Sequence, residues 1–133
     1  MRHLGIDFGT KKVGLALSDE AGVMGFPHAV VKNDEGLLLR LTTLIETERV
    51  GRIVIGESLN SSGNDNPVAE AARVFGEALK AHTNIPVAYE MEAFSTQEAR
   101  RDFEGNRTNT GELDASAAAL ILTSYLSRPH DND

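Results

Sequence analysis

Three carboxylates stand where chemistry could use them: Asp7, Glu92 and Asp114. Asp7 interrupts the apolar run Leu4–Phe8. A carboxylate within a strand is costly to desolvate unless it meets a cation or hydrogen-bond donors. Gly9 and Gly14 follow it, and a residue without a side chain lets a phosphate or another backbone approach closely. Glu92 comes directly after the run Ile85–Met91, and Asp114 lies between Leu113 and Ala115 at the start of a long apolar segment. If the three met, their mutual repulsion would push a proton onto one of them unless a divalent cation intervened. Oxygen-only ligands select hard ions, Mg²⁺ or Mn²⁺. Two such ions about 4 Å apart can activate a water and stabilise the leaving oxygen of a phosphodiester.

Each acid also has a purely structural reading. Asp7 can end its strand and bond to amides of its own turn. Asp114, in a first helical turn, can complement the helix dipole, an effect of about 0.3–1 kcal/mol. Glu92 and its neighbour Glu90 can be solvated charges at a strand end. Only tertiary structure brings together acids so far apart in sequence; the conjunction carries weight that no single member does.

The elements that must position them follow from the apolar pattern. Leu4–Phe8 and Val13–Leu17 flank a Gly-Thr-Lys-Lys turn and predict a β-hairpin. Gly25–Lys32 reads as a third strand, with Pro27 placing that end at a sheet edge. Asn33-Asp34 can cap a helix running to about Arg49, with Leu37, Leu38, Leu41, Leu44 and Ile45 on one face and Gly51 closing it. Arg52–Gly56 is a continuous apolar run suited to a strand covered on both faces. Glu57–Asn66 is polar and predicts a loop. Pro67 then opens a helix to about Thr83, burying Val68, Ala71, Ala72, Phe75 and Leu79. Ile85–Met91 is the next strand, and Ser95-Thr-Gln-Glu98 has the form of a capping box opening a helix to about Phe103. Glu104–Gly111 is turn-rich, and Leu113–Leu126, apolar almost all round, predicts a helix buried against a sheet. The order β-β-β-α-β-α-β-α-α implies one α/β domain, a mixed sheet with helices on its faces.

Composition narrows the function classes. A chain of 133 residues suits one domain, over 1–128, with a frayed tail at 129–133. No apolar stretch is long enough for a membrane span, and the N-terminus runs straight into a strand without a signal-peptide pattern. There is no Cys, which fits a cytoplasmic location, and the four His are scattered without chelating spacing. A net charge of −7 argues against a broad basic face. A polyanionic substrate would therefore need metal ions and a small local cluster of Lys and Arg.

Ile6-Asp-Phe-Gly-Thr-Lys11 with Val13-Gly14, Glu92 before Ser95-Thr-x-Glu-Ala99, and Leu113-Asp-x-x-Ala-Ala118 together resemble the YqgF (RuvX) family of RNase H-like nucleases. The likeness runs from residue 2 to about 127, with the motifs in the family's order. It implies an RNase H-like α/β fold with a five-stranded mixed sheet in order 3-2-1-4-5. It implies Asp7, Glu92 and Asp114 as catalytic and metal-binding acids for Mg²⁺ or Mn²⁺. Nucleic acid would be held by Thr10, Lys11, Lys12, Asn60, Arg100 and Arg107, with Arg101 nearby. The implied activity is processing of the 5′ end of pre-16S ribosomal RNA, or alternatively the cutting of Holliday junctions in branched DNA. The expected state is a monomer or weak homodimer; resolving a junction would need paired sites on a dimer.

This chain departs from the family's pattern at several positions. Where the family commonly has Asp-Glu-Arg-Leu-Ser-Thr, it has Met91-Glu92-Ala93-Phe94-Ser95-Thr96. A Gly-apolar-Pro-x-Asn loop becomes Gly56-Glu57-Ser58-Leu59-Asn60, and a Lys-Gly-Lys becomes Thr110-Gly111-Glu112. The acids survive while cations are lost, which weakens the grip on a phosphate backbone. Two other classes compete with the nuclease. One is a relative of the actin-like ATPases and sugar kinases, whose hairpin is similar but which need a second lobe. The other is a scaffold of the same fold that binds without cleaving.

Overall fold

The computed structural model describes residues 1–57, 67–91 and 110–127, without the side chains of 57, 67–69, 91 and 110–114. Strands β1 (Arg2–Phe8), β2 (Lys12–Ser18) and β3 (Gly25–Lys32) precede helix α1 (Leu37–Glu48). Then come β4 (Val50–Glu57), α2 (Pro67–Thr83), β5 (Val87–Met91) and α3 (Thr110–Leu126). The strands form one five-stranded sheet in the order β3-β2-β1-β4-β5. The hairpin pairs β1–β2 and β2–β3 are antiparallel, while β1–β4 and β4–β5 are parallel. This is the expected architecture, with β1 central and the Pro27-bearing β3 at an edge. The helix expected from Ser95 and the tail at 129–133 lie outside the described residues. Among the described residues no helix is long and apolar enough to cross a membrane.

Alternation along β1 sorts its side chains onto two faces. Leu4 and Ile6 join Val13, Leu15, Ile53 and Ile55 in a core covered by Leu37, Leu41 and Ile45 of α1 and by Ala72 and Leu79 of α2. Ala16 and Val54 point the other way, into a second core with Ala118, Ile121, Leu122 and Tyr125 of α3. Helices thus cover both faces, and β4, buried on each side, needs the unbroken apolar run its sequence shows. On the α3 face the sheet is shaved down to glycine. An ideal Cβ on Gly5 would stand 2.9 Å from the Leu122 Cβ and 3.1 Å from the Ala118 carbonyl oxygen. One on Gly25 would stand 2.9 Å from the same Leu122 atom. Backbone therefore packs on backbone, and α3 lies closer to the sheet than side chains would permit.

Several element ends differ from expectation for local reasons. The α1 N-cap is Gly36, without a side-chain cap; the Asp34 carboxylate accepts from the Gly36 N–H at 3.0 Å instead. Asn33 is occupied elsewhere, donating to the Gly9 carbonyl at 2.7 Å. Arg49, not Gly51, takes the left-handed conformation that ends α1, with φ of 55°. Since β4 starts at Val50, the chain must reverse before it reaches Gly51. Gly51 serves packing instead, its α-carbon hydrogen facing the Met1 side chain. In α2, Ala71 is exposed rather than buried; Ala72 and Gly76 occupy the inner face with Leu79. α3 begins at Thr110, so the last residues of the expected Glu104–Gly111 loop are helical. A glycine is tolerable there because first-turn amides have no intrahelical acceptor to lose.

Substituting Gly5→Ala should cost about 1–3 kcal/mol by overpacking against Leu122. Urea unfolding would read this as a lowered midpoint with an unchanged slope.

Candidate active site

Asp7 is the next-to-last residue of the central strand and is half-buried. It lies on the α3 face, as alternation from Gly5 requires. Its antiparallel partner on β2 is Gly14. On the other side, the parallel register that pairs Ile6 with Ile55 brings Gly56 alongside. The acid is therefore flanked on both neighbouring strands by residues without side chains. Phe8, pointing to the opposite face, packs on Phe75 with ring centroids 5.4 Å apart and so anchors the strand end.

The hairpin turn beyond Asp7 is held rigidly. A Cβ on Gly9 would come within 2.5 Å of the Lys12 carbonyl oxygen, so this turn closes only with glycine. The Asn33 backbone N–H donates to the Lys11 carbonyl at 3.0 Å, and its side-chain amide clasps Gly9. Thr10, Lys11 and Lys12 are exposed on this clamped turn. Sequence reasoning missed Asn33, whose capping chemistry concealed a tertiary role, and Lys32, which pairs with Lys12 across β2 and β3.

Helix α3 brings the second acid's backbone to the same region. Its Tyr125 ring lies 6.2 Å from that of His3, while Ala118 and Leu122 contact Gly5. The helix therefore runs antiparallel to β1, and its first turns, which include Asp114, lead toward the end of the strand that carries Asp7. The orientation of the Asp114 side chain, all of Glu92, and Asn60, Arg100, Arg101 and Arg107 lie outside the described residues. Among the described residues no three acidic, His or Cys side chains gather to hold a metal.

Glu90 corrects the reading of it as a solvated charge. It is buried, and its carboxylate accepts from the Ser124 hydroxyl of α3 at 2.9 Å. The bond ties the strand leading to Glu92 to the helix bearing Asp114. Glu90 pairs with Gly56, so it occupies the same cross-strand row as Asp7, two strands away with Gly56 between them. The signal was available: alternation puts Glu90 with Ala88, on the face opposite Val87 and Tyr89.

Sheet order and helix placement define an RNase H-like fold of the RuvC kind. RuvC from Thermus thermophilus, solved in complex with a Holliday junction substrate, superposes with a TM-score of 0.63, 18% identity and coverage of 95% of this chain and 94% of that one. The fowlpox virus Holliday junction resolvase gives 0.56, with 14% identity and coverage of 96% and 99%. The sequence profile described as "RuvX: Holliday junction resolvase" matches residues 1–128, and the chain belongs to that family. Relatives named "Putative pre-16S rRNA nuclease" include one from Oleidesulfovibrio alaskensis, 32% identical over 98% of this chain and 95% of its own length. Another, from Maridesulfovibrio salexigens, is 34% identical over 96% and 99%.

Close to the clamped turn, the Arg40 guanidinium donates to the Asp34 carboxylate at 2.7 Å and holds its carboxyl below the ordinary value of 3.8. Backbone amides of Met24 and Val23 do the same for Asp19. Both folded-state values lie below the unfolded ones. The stabilisation is therefore fully present above pH 3.8 and lost as pH falls through the lowered values. Carboxyl NMR titration should show Arg40→Ala returning Asp34 upward toward 3.8 while leaving Asp19 unmoved.

Proposed function

We propose that the chain is a metal-dependent endonuclease acting on the 5′ end of pre-16S ribosomal RNA. The observation that carries this reading is a half-buried carboxylate on the central strand, glycine on either side, with the first turns of α3 directed toward it. Membership in a family whose relatives bear an rRNA nuclease name supports the choice of RNA. The donor set fits a hard divalent cation, because Asp7 offers carboxylate oxygen on a surface free of thiols. Asp7, Glu92 and Asp114 would hold Mg²⁺ or Mn²⁺. Bound there, the ions would supply an activated water and charge neutralisation at the leaving oxygen.

The chain's own residues do the rest. Gly14 and Gly56 leave room for a phosphate beside Asp7 where any side chain would intrude. The clasped turn presents Lys11 and Lys12, with Thr10, as donors to the strand being cut. Asn60, Arg100 and Arg107 complete this grip in the proposal. Domain 1–128 acts as a monomer or weak homodimer. The family description itself favours a second reading, resolution of branched DNA. It would require two such sites in a dimer.

Incubation of a structured RNA carrying the 16S 5′ precursor, alongside a four-way DNA junction, separates these readings. With Mg²⁺ the RNA should be cut and the junction left intact. Asp7→Asn should lower the cleavage rate by about 10²–10⁴-fold, the scale of several kcal/mol of lost electrostatic stabilisation. Its circular dichroism should match the wild type. Equal rates in both proteins would overturn the nuclease reading, and junction cutting alone would replace RNA by DNA.

A further inference from the structure

We propose that Lys12 and Lys32, facing each other across β2 and β3, hold the phosphates next to the scissile one. This rests on the reading of the chain as an RNA nuclease. The two residues are Cα partners in the antiparallel register, and both are exposed. Like charges directly opposite one another destabilise a sheet, so the pair calls for an anion between or above its ammonium groups.

The pair lies on the right face. Val13 and Val31 pack into the α1–α2 core, so alternation turns Lys12 and Lys32 to the face that carries Asp7. Lys12 precedes Gly14 by two positions along β2, diagonal to Asp7, a separation of about 7–8 Å between α-carbons. Lys32 stands one strand further out, roughly another 5 Å. That spacing is too long for the phosphate held at Asp7 and suits its neighbours along the strand.

Two further contacts hold the pair in place. Asp34, two residues beyond Lys32, is ion-paired with Arg40 and also feels the Lys32 charge, and Arg40 donates to the Lys32 carbonyl at 2.8 Å. Asn33 fixes the end of β3 to the hairpin turn. In a chain of net charge −7, these lysines form a local cationic edge. They offset the cations missing at Ala93, Thr110 and Glu112, and no motif singles out Lys32.

The test is anisotropy of a labelled RNA stem with a single-stranded 5′ extension, in EDTA, from about 50 to 200 mM salt. Lys12→Ala/Lys32→Ala should bind more weakly, with a plot of log K against log salt shallower by roughly 0.7 per lysine. Lys12→Arg/Lys32→Arg should restore the slope, and Lys80→Ala on α2 should leave it unchanged. Thermal unfolding of the alanine variant should be no lower than wild type. An unchanged slope, or no RNA binding by wild type, overturns the proposal. Mg²⁺-dependent cleavage of the same RNA is scored separately. Lysine-dependent binding without cleavage sinks the nuclease reading alone, and cleavage with an unaltered slope sinks the lysine pair alone.

Discussion

The approach of α3 to the sheet is the constraint on which the site depends. Gly5 and Gly25 both meet Leu122 at distances a real Cβ would not tolerate, and alanines fill much of the rest of the interface. With so little side-chain volume between them, the helix and β1 have little freedom to slide. Dispersion contacts at that separation are numerous and short-ranged, so small displacements forfeit them. The tyrosine near one end of α3 meets His3 and Arg52, and the other end is thereby directed toward Asp7. Packing at one end of the sheet thus sets how the first turns of α3 lie relative to Asp7 at the other.

Polar groups under α3 complement this apolar contact. The Tyr125 hydroxyl accepts from Arg52 at 2.9 Å, and Ser124 donates to the buried Glu90. Hydrogen bonds of this kind have strict angular demands, so they select one rotation of the helix where apolar contact tolerates several. On the opposite face α1 and α2 bury larger aliphatic side chains and supply bulk stabilisation. One face of the sheet is built for volume, the other for close and specific placement.

The family resemblance and the structure bear on different levels. The profile match over residues 1–128 and the shared sheet order establish ancestry and fold. The role proposed for Asp7 rests on local geometry: strand position, glycine neighbours and a turn closed by Gly9 and Asn33. A fold of this class hosts several activities, and the particular side chains on it decide among them.

The sequence alone determined the elements, because burial imposes a period that the apolar residues must obey. The hairpin, the edge strand at Gly25–Lys32, the doubly covered β4 and the helix from Pro67 all stand where alternation or helical spacing put them. The Asp7 strand position was legible for the same reason. Caps and turns were read less well: Asn33 could satisfy a helix locally, yet it bonds Gly9 across the hairpin. Likewise Arg49 adopts the left-handed turn ahead of an available glycine. Glu90 looked like a surface charge until Ser124, far along the chain, closed over it. The partnership of Lys12 with Lys32 also came only from register. Local pattern encodes which face a residue takes, whereas its neighbour on that face is set by packing between segments distant in sequence, and that only the tertiary structure decided.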